Sequence, residues 1–146
     1  MPTEKVNEIT RLEWRELGFF YDRNTESKEW RVVGSARGLL SFLQELRNYA
    51  LNPGNAALSE HIHLGPYMYL KIGTWSKPEI TDDWIAGPPE SFLELAAVAE
   101  NLIPMARIGQ VFKLREVFAP SSQYELLLEV ANDEFDPARA DAACWE

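Results

Sequence analysis

The chain has 146 residues, 46% of them hydrophobic, with five Trp, five Tyr and seven Phe; this excludes a disordered polymer and is enough for one domain with a real core. Fourteen Lys and Arg stand against 23 Asp and Glu, a formal net charge of -9. A surface of that sign repels phosphate backbones, which argues against nucleic acid; it suits a basic protein partner, and it equally serves plain solubility, the commoner reason for an acidic balance.

No apolar run approaches the roughly 20 residues of a membrane helix, and the first residues carry no apolar leader segment. The single cysteine, Cys144, cannot close an intrachain disulfide. A reducing, cytoplasmic setting is the expectation.

In chain order, residues 1–16 admit two readings. Val6, Ile9 and Glu13 have helical spacing, whereas Leu12 and Trp14 fit a strand entering the sheet. Residues 17–22 read as a strand, 23–28 as a hairpin loop and 29–34 as the return strand. Ser35 is the N-cap candidate for a helix whose stripe is Leu39, Leu43, Leu46 and Ala50. That helix should end near Asn52, because Pro53 disfavours helical geometry in the residue before it.

A long strand is expected from about residue 60 to Trp75, broken by Ser76-Lys77-Pro78. A weaker strand over 81–86 precedes Gly87-Pro88-Pro89, which opens a second helix with the stripe Phe92, Leu95, Ala96, Ala99, Leu102 and Ile103. Residues 110–118 and 124–130 read as two strands around a turn. The acidic segment 132–146, with Pro137, is expected to be peripheral or flexible, as are residues 1–16.

The expected architecture is a single α+β domain over residues 1–146. It is a two-layer sandwich in which a mainly antiparallel sheet of about six strands carries two helices on one face, in the order ββαββαββ. Ser41-Phe42-Leu43-Gln44-Glu45-Leu46 and Ser91-Phe92-Leu93-Glu94-Leu95 are alike, and each helix follows a Trp-containing strand and a Gly. This pattern hints at a duplicated unit.

The long strand holds the candidate site. At a period of two, Ile62, Leu64, Met68, Leu70 and Ile72 fall on one face, and His61, His63, Tyr67, Tyr69 and Lys71 on the other. Both histidines of the chain therefore share a face with two phenols and an ammonium, and Trp75 flanks them. Four uses compete. Two imidazoles at i and i+2 stand roughly 7 Å apart at Cα and can hold a divalent metal if a third ligand arrives from elsewhere. His61 or His63 can serve as a general base, although the chain has no nucleophile elbow, no phosphate loop and no H-E-x-x-H. The imidazoles can be bonded to carbonyls as ordinary structure. Finally, the aromatic and polar-tipped side chains match a protein-contact patch or a homodimer seam.

Leu17-Gly18-Phe19-Phe20-Tyr21-Asp22, Trp30-Arg31-Val32-Val33-Gly34-Ser35 and Glu60-His61-Ile62-His63-Leu64-Gly65-Pro66-Tyr67-Met68-Tyr69-Leu70 resemble an uncharacterised bacterial family of small acidic proteins. That family is similar to the predicted immunity proteins encoded beside polymorphic toxins. The resemblance implies a cytosolic, non-catalytic binder that neutralises a toxin by occlusion, and it carries no catalytic residue set. On this reading His61, His63, Tyr67, Tyr69, Lys71 and Trp75 form the binding face, with no cofactor. The alternative is a metal-dependent enzyme or metal-binding protein using His61 and His63.

Overall fold

A computed structural model describes residues 3–67 and 69–145. The N-terminal segment is a helix, α1 (Glu4–Leu17). Thr3 caps it, its Oγ1 accepting from the Val6 N–H at 3.2 Å, and Gly18 closes it at φ 89° with its N–H on the Trp14 carbonyl at 3.0 Å. The expected hairpin follows as β1 (Phe20–Asn24) and β2 (Glu29–Gly34). Ser35 caps α2 (Ala36–Leu51) by accepting from the Gly38 N–H at 3.1 Å, an interaction worth about 1 kcal/mol. Pro53 ends it and opens a 3₁₀ turn, Pro53–Asn55.

The chain continues through β3 (His61–Leu64), β4 (Leu70–Thr74), β5 (Glu79–Ile80), β6 (Ile85–Gly87) and α3 (Pro89–Leu102). After a 3₁₀ turn, Ile103–Met105, come β7 (Val111–Lys113), α4 (Arg115–Phe118), β8 (Glu125–Val130), α5 (Pro137–Ala140) and a last 3₁₀ turn, Ala142–Trp145.

The α+β class holds, and its details differ from the expectation. Instead of one sheet of about six strands with two helices in the order ββαββαββ, the described residues form two mixed four-stranded sheets and five α-helices. The long strand fails at Gly65. Its φ of 85° is a left-handed conformation that side chains rarely adopt, and a Cβ there would run into the Tyr21 ring. The chain turns back at this point, so β3 and β4 pair antiparallel where one continuous strand was expected. Met68 lies outside the described residues. The 81–86 strand is instead a turn closed by the Thr81 N–H on the Trp84 carbonyl at 2.9 Å, leading into β6. The 110–118 strand stops at Lys113 and gives way to α4.

The sheet orders are β1-β2-β8-β7 and β3-β4-β6-β5. Each pairs two antiparallel hairpins through a central parallel contact, β2 with β8 and β4 with β6. Taken along the chain, β1-β2-α2-β3-β4 and β5-β6-α3-β7-β8 repeat one order, with a 3₁₀ turn after each main helix and α4 added in the second. The two units exchange hairpins: the first hairpin of each unit joins the second hairpin of the other. Trp30, second in β2, and Trp84, just ahead of β6, hold similar places, and Gly34 and Gly87 close the two strands ahead of the helices.

One continuous core holds both units together. The stripes Leu39, Phe42, Leu43 and Leu46 of α2 and Phe92, Leu95 and Ala96 of α3 meet Trp30, Val32, Leu126 and Leu128 of one sheet and Leu70, Ile72 and Ile85 of the other. Each large side chain so buried contributes roughly 1.5–3 kcal/mol of transfer free energy. The two terminal segments, expected at the periphery, pack on each other. Trp14, Ala138 and Cys144 are buried, Arg15 pairs with Asp136 at 2.9 Å, and the Arg11 guanidinium donates to the Cys144 carbonyl at 2.5 Å.

Candidate functional site

The six residues singled out on the expected strand divide into two adjoining groups. His61, His63 and Lys71 stay together because the antiparallel register sets His63 opposite Lys71 and His61 opposite Gly73. Directly opposed residues share a face. Both histidines are exposed, with ring centres 5.2 Å apart in an edge-on arrangement. His61 Nδ1 lies 3.0 Å from the Ser59 carbonyl oxygen, a contact in which that nitrogen is the donor.

Trp84 extends this group. Its ring covers Gly73, where any Cβ would collide with it, and its Nε1–H donates to the Glu79 carboxylate at 2.7 Å. Trp75 lies 5.7 Å from it, and the Lys71 ammonium sits 5.0 Å from the Trp84 ring centre while pairing with Asp83 at 3.4 Å. The result is a polar, aromatic outer face on the second sheet.

Tyr67 and Tyr69 leave that face at the Gly65 turn. They stand 41% and 61% exposed, with ring centres 5.9 Å apart, at the mouth of a cleft of about 350 Å³. Its floor is Trp14 from α1 with Tyr21 from β1, 5.1 Å apart and edge-on, and its far wall is Trp30 from β2. Two hydrogen bonds fix this frame across the sheets: Tyr21 OH donates to the Leu64 carbonyl at 2.5 Å, and Trp30 Nε1–H to the Thr81 carbonyl at 2.7 Å. Burial pushes the Tyr21 phenol up to about 12, so it is a donor at any ordinary pH. Arg23 lies across the opening, its guanidinium 5.5 Å from the Trp30 ring centre and 5.9 Å from that of Tyr69.

A carboxylate sits at the base of the cleft. Asp141 is 9% exposed. Its Oδ2 accepts from Trp14 Nε1–H at 2.9 Å, from Tyr67 OH at 2.5 Å and from the Cys144 thiol at 3.1 Å, while Oδ1 accepts from the Ala143 N–H at 3.1 Å. Burial alone would raise its pKa, but the donors from Tyr67, Trp14 and Cys144 outweigh that and hold it below the usual carboxylate value. The same contacts, with burial leading, push the Tyr67 phenol up and the Cys144 thiol up to about 11. Cys144 is a thiol donor here and has none of the character of a nucleophile.

Sequence reasoning missed Arg23, Trp30, Trp84 and Asp141. Trp30 and Trp84 carried a signal, since each stands in a segment that leads through a Gly into a helix. Asp141 carried none: it is one acid among many, and the hydrogen bond to Trp14 spans 127 positions.

Among the described residues, no group of three or more His, Cys, Asp or Glu side chains is gathered so as to hold a metal ion. Among those residues, His61 and His63 are not joined by the third ligand that a metal would require. No described helix is long and apolar enough to cross a membrane. No protein-family model matches the chain, and no curated protein or solved structure matches it either.

Proposed function

We propose that this chain is a non-catalytic protein-binding domain that neutralises a toxin by occluding it, as the resemblance in its sequence implies. The observation that carries the reading is the mouth of the aromatic cleft. Tyr67 and Tyr69 are large, exposed side chains with ring centres 5.9 Å apart, and Tyr67 is fixed through its hydroxyl to Asp141. Anchors ordered before binding lose little entropy when a partner arrives, and Tyr and Trp are the side chains that most often dominate binding energy.

The His61, His63, Lys71 and Trp75 face adjoins this mouth through the β3–β4 turn and extends the area available for contact. The net charge of -9 favours a basic partner, because complementary potentials speed encounter and set orientation.

The test is a titration of the purified chain against the toxin candidate encoded beside it, followed by calorimetry and by assay of the toxin's activity. A stoichiometric complex that abolishes activity is expected. Tyr67→Ala with Tyr69→Ala should weaken it by tenfold or more, about 1.4 kcal/mol per factor of ten. A complex indifferent to both tyrosines would remove this cleft from the interface, and the absence of any complex would remove the toxin-neutralising reading.

A further inference from the structure

We propose that the cleft between Trp30 and Tyr69 receives the guanidinium of an arginine from a basic protein partner, in the place that Arg23 fills in the free chain. This rests on the binding function above and names the chemistry recognised.

The chain already shows what the cleft accepts. Arg23 places its guanidinium over two aromatic faces at once, 5.5 Å from the centre of Trp30 and 5.9 Å from that of Tyr69. Such faces attract a cation through the ring quadrupole, out to about 6 Å. Both of these distances lie near that limit, so neither ring contact is at its strongest. The remaining tether of Arg23 is a hydrogen bond to the Asp82 carbonyl, no carboxylate pairs with it among the described residues, and the side chain is exposed. Swinging it into water exchanges that hydrogen bond for one to solvent and uncovers the Trp30 face, which the partner's guanidinium would cover in turn. A flat guanidinium fits the space between two rings better than the compact ammonium of lysine, and about 350 Å³ is room for one side chain.

Charge points the same way. Asp141 places a fixed negative charge at the base of the cleft.

The probe is N-acetyl-arginine methylamide, with the citrulline analogue as its neutral isostere and N-acetyl-glutamate methylamide as the anion. The readout is the indole N–H signal of Trp30 in proton–nitrogen NMR spectra of the full chain. Saturable shifts are expected with the arginine compound and not with the other two. Arg23→Ala empties the place and should tighten binding about two- to fivefold, the worth of one exposed cation–π contact; Tyr69→Ala should abolish it. Both side chains are exposed, and retained dispersion of the remaining signals verifies folding. A preference for the glutamate compound, lost in Arg23→Ala, would make Arg23 itself the recognition group and overturn the proposal. Equal shifts with citrulline, or no saturable shift in Arg23→Ala, would also overturn it. A toxin complex that depends on Tyr67 and Tyr69 while the arginine compound fails would leave the binding function standing and reject only this anchor.

Discussion

Asp141→Asn is the most informative single change, because one carboxylate joins the tail, α1 and the Tyr67 mouth. Three donors converge on Oδ2 and a fourth reaches Oδ1. Asparagine keeps the volume and one oxygen but turns an N–H group toward at least one of those donors, whichever way the amide is placed. A charge-assisted bond is worth about 1.5–3 kcal/mol, and a buried donor left without an acceptor costs about 1–3 kcal/mol. The two overlap, so the expected loss is about 2–4 kcal/mol, or a fall in melting temperature of roughly 6–15 °C for a chain of this size.

Urea unfolding followed by tryptophan fluorescence measures this directly, with Tyr67→Phe as the smaller, one-donor comparison. Acid dependence gives a second readout. The folded-state pKa of Asp141 is held below its unfolded value, so its contribution is present above the unfolded value and lost as pH falls through the folded one. Asp136, held low chiefly by its hydrogen bond from Arg15, acts in the same window, so Asp141→Asn should flatten the acid limb in part. A loss under about 0.5 kcal/mol, the scale of an ordinary surface change, with an unchanged acid limb would refute the idea that Asp141 anchors the tail.

Three further outcomes are expected. Gly65→Ala forces a Cβ into the Tyr21 ring at positive φ, and the backbone term alone costs roughly 1–2 kcal/mol; equilibrium unfolding checks it, and a neutral variant would mean that β3 and β4 are not separated by this turn. Cys144 is buried, with its thiol raised to about 11, so iodoacetamide at pH 8 should label native protein far more slowly than urea-unfolded protein, with mass spectrometry as the readout; equal rates would place the tail off α1. His61→Ala with His63→Ala should change stability by no more than about 0.5 kcal/mol, and elemental analysis of untagged wild type should show no stoichiometric divalent metal; a stoichiometric metal lost in the double variant would restore the metal reading.

Where backbone chemistry is local, the residues themselves announced the structure. Ser35 capped α2, Pro53 ended it, and Gly87-Pro88-Pro89 opened α3. The stripes at three- and four-residue spacing became the buried faces of both helices. Alternation likewise placed His61, His63 and Lys71 on a common face, even though the strand carrying them folds back on itself. The break at Gly65 was less legible, because a glycine within an alternating run is compatible with a bulge, an edge or a turn. What decides between them is the Tyr21 ring packed against it from β1.

The sequence by itself determined the α+β class, the main helix limits, the first hairpin and the polar face of β3 and β4, since capping, proline geometry and periodicity act over a few residues. Tertiary structure alone decided that β2 pairs with β8 and β4 with β6, that two similar units exchange hairpins, and that Asp141 meets Trp14 and Tyr67 beneath an aromatic cleft. These are contacts between residues far apart in the chain. They are selected by closing long loops around a shared core, and no local propensity encodes which distant partner will be found.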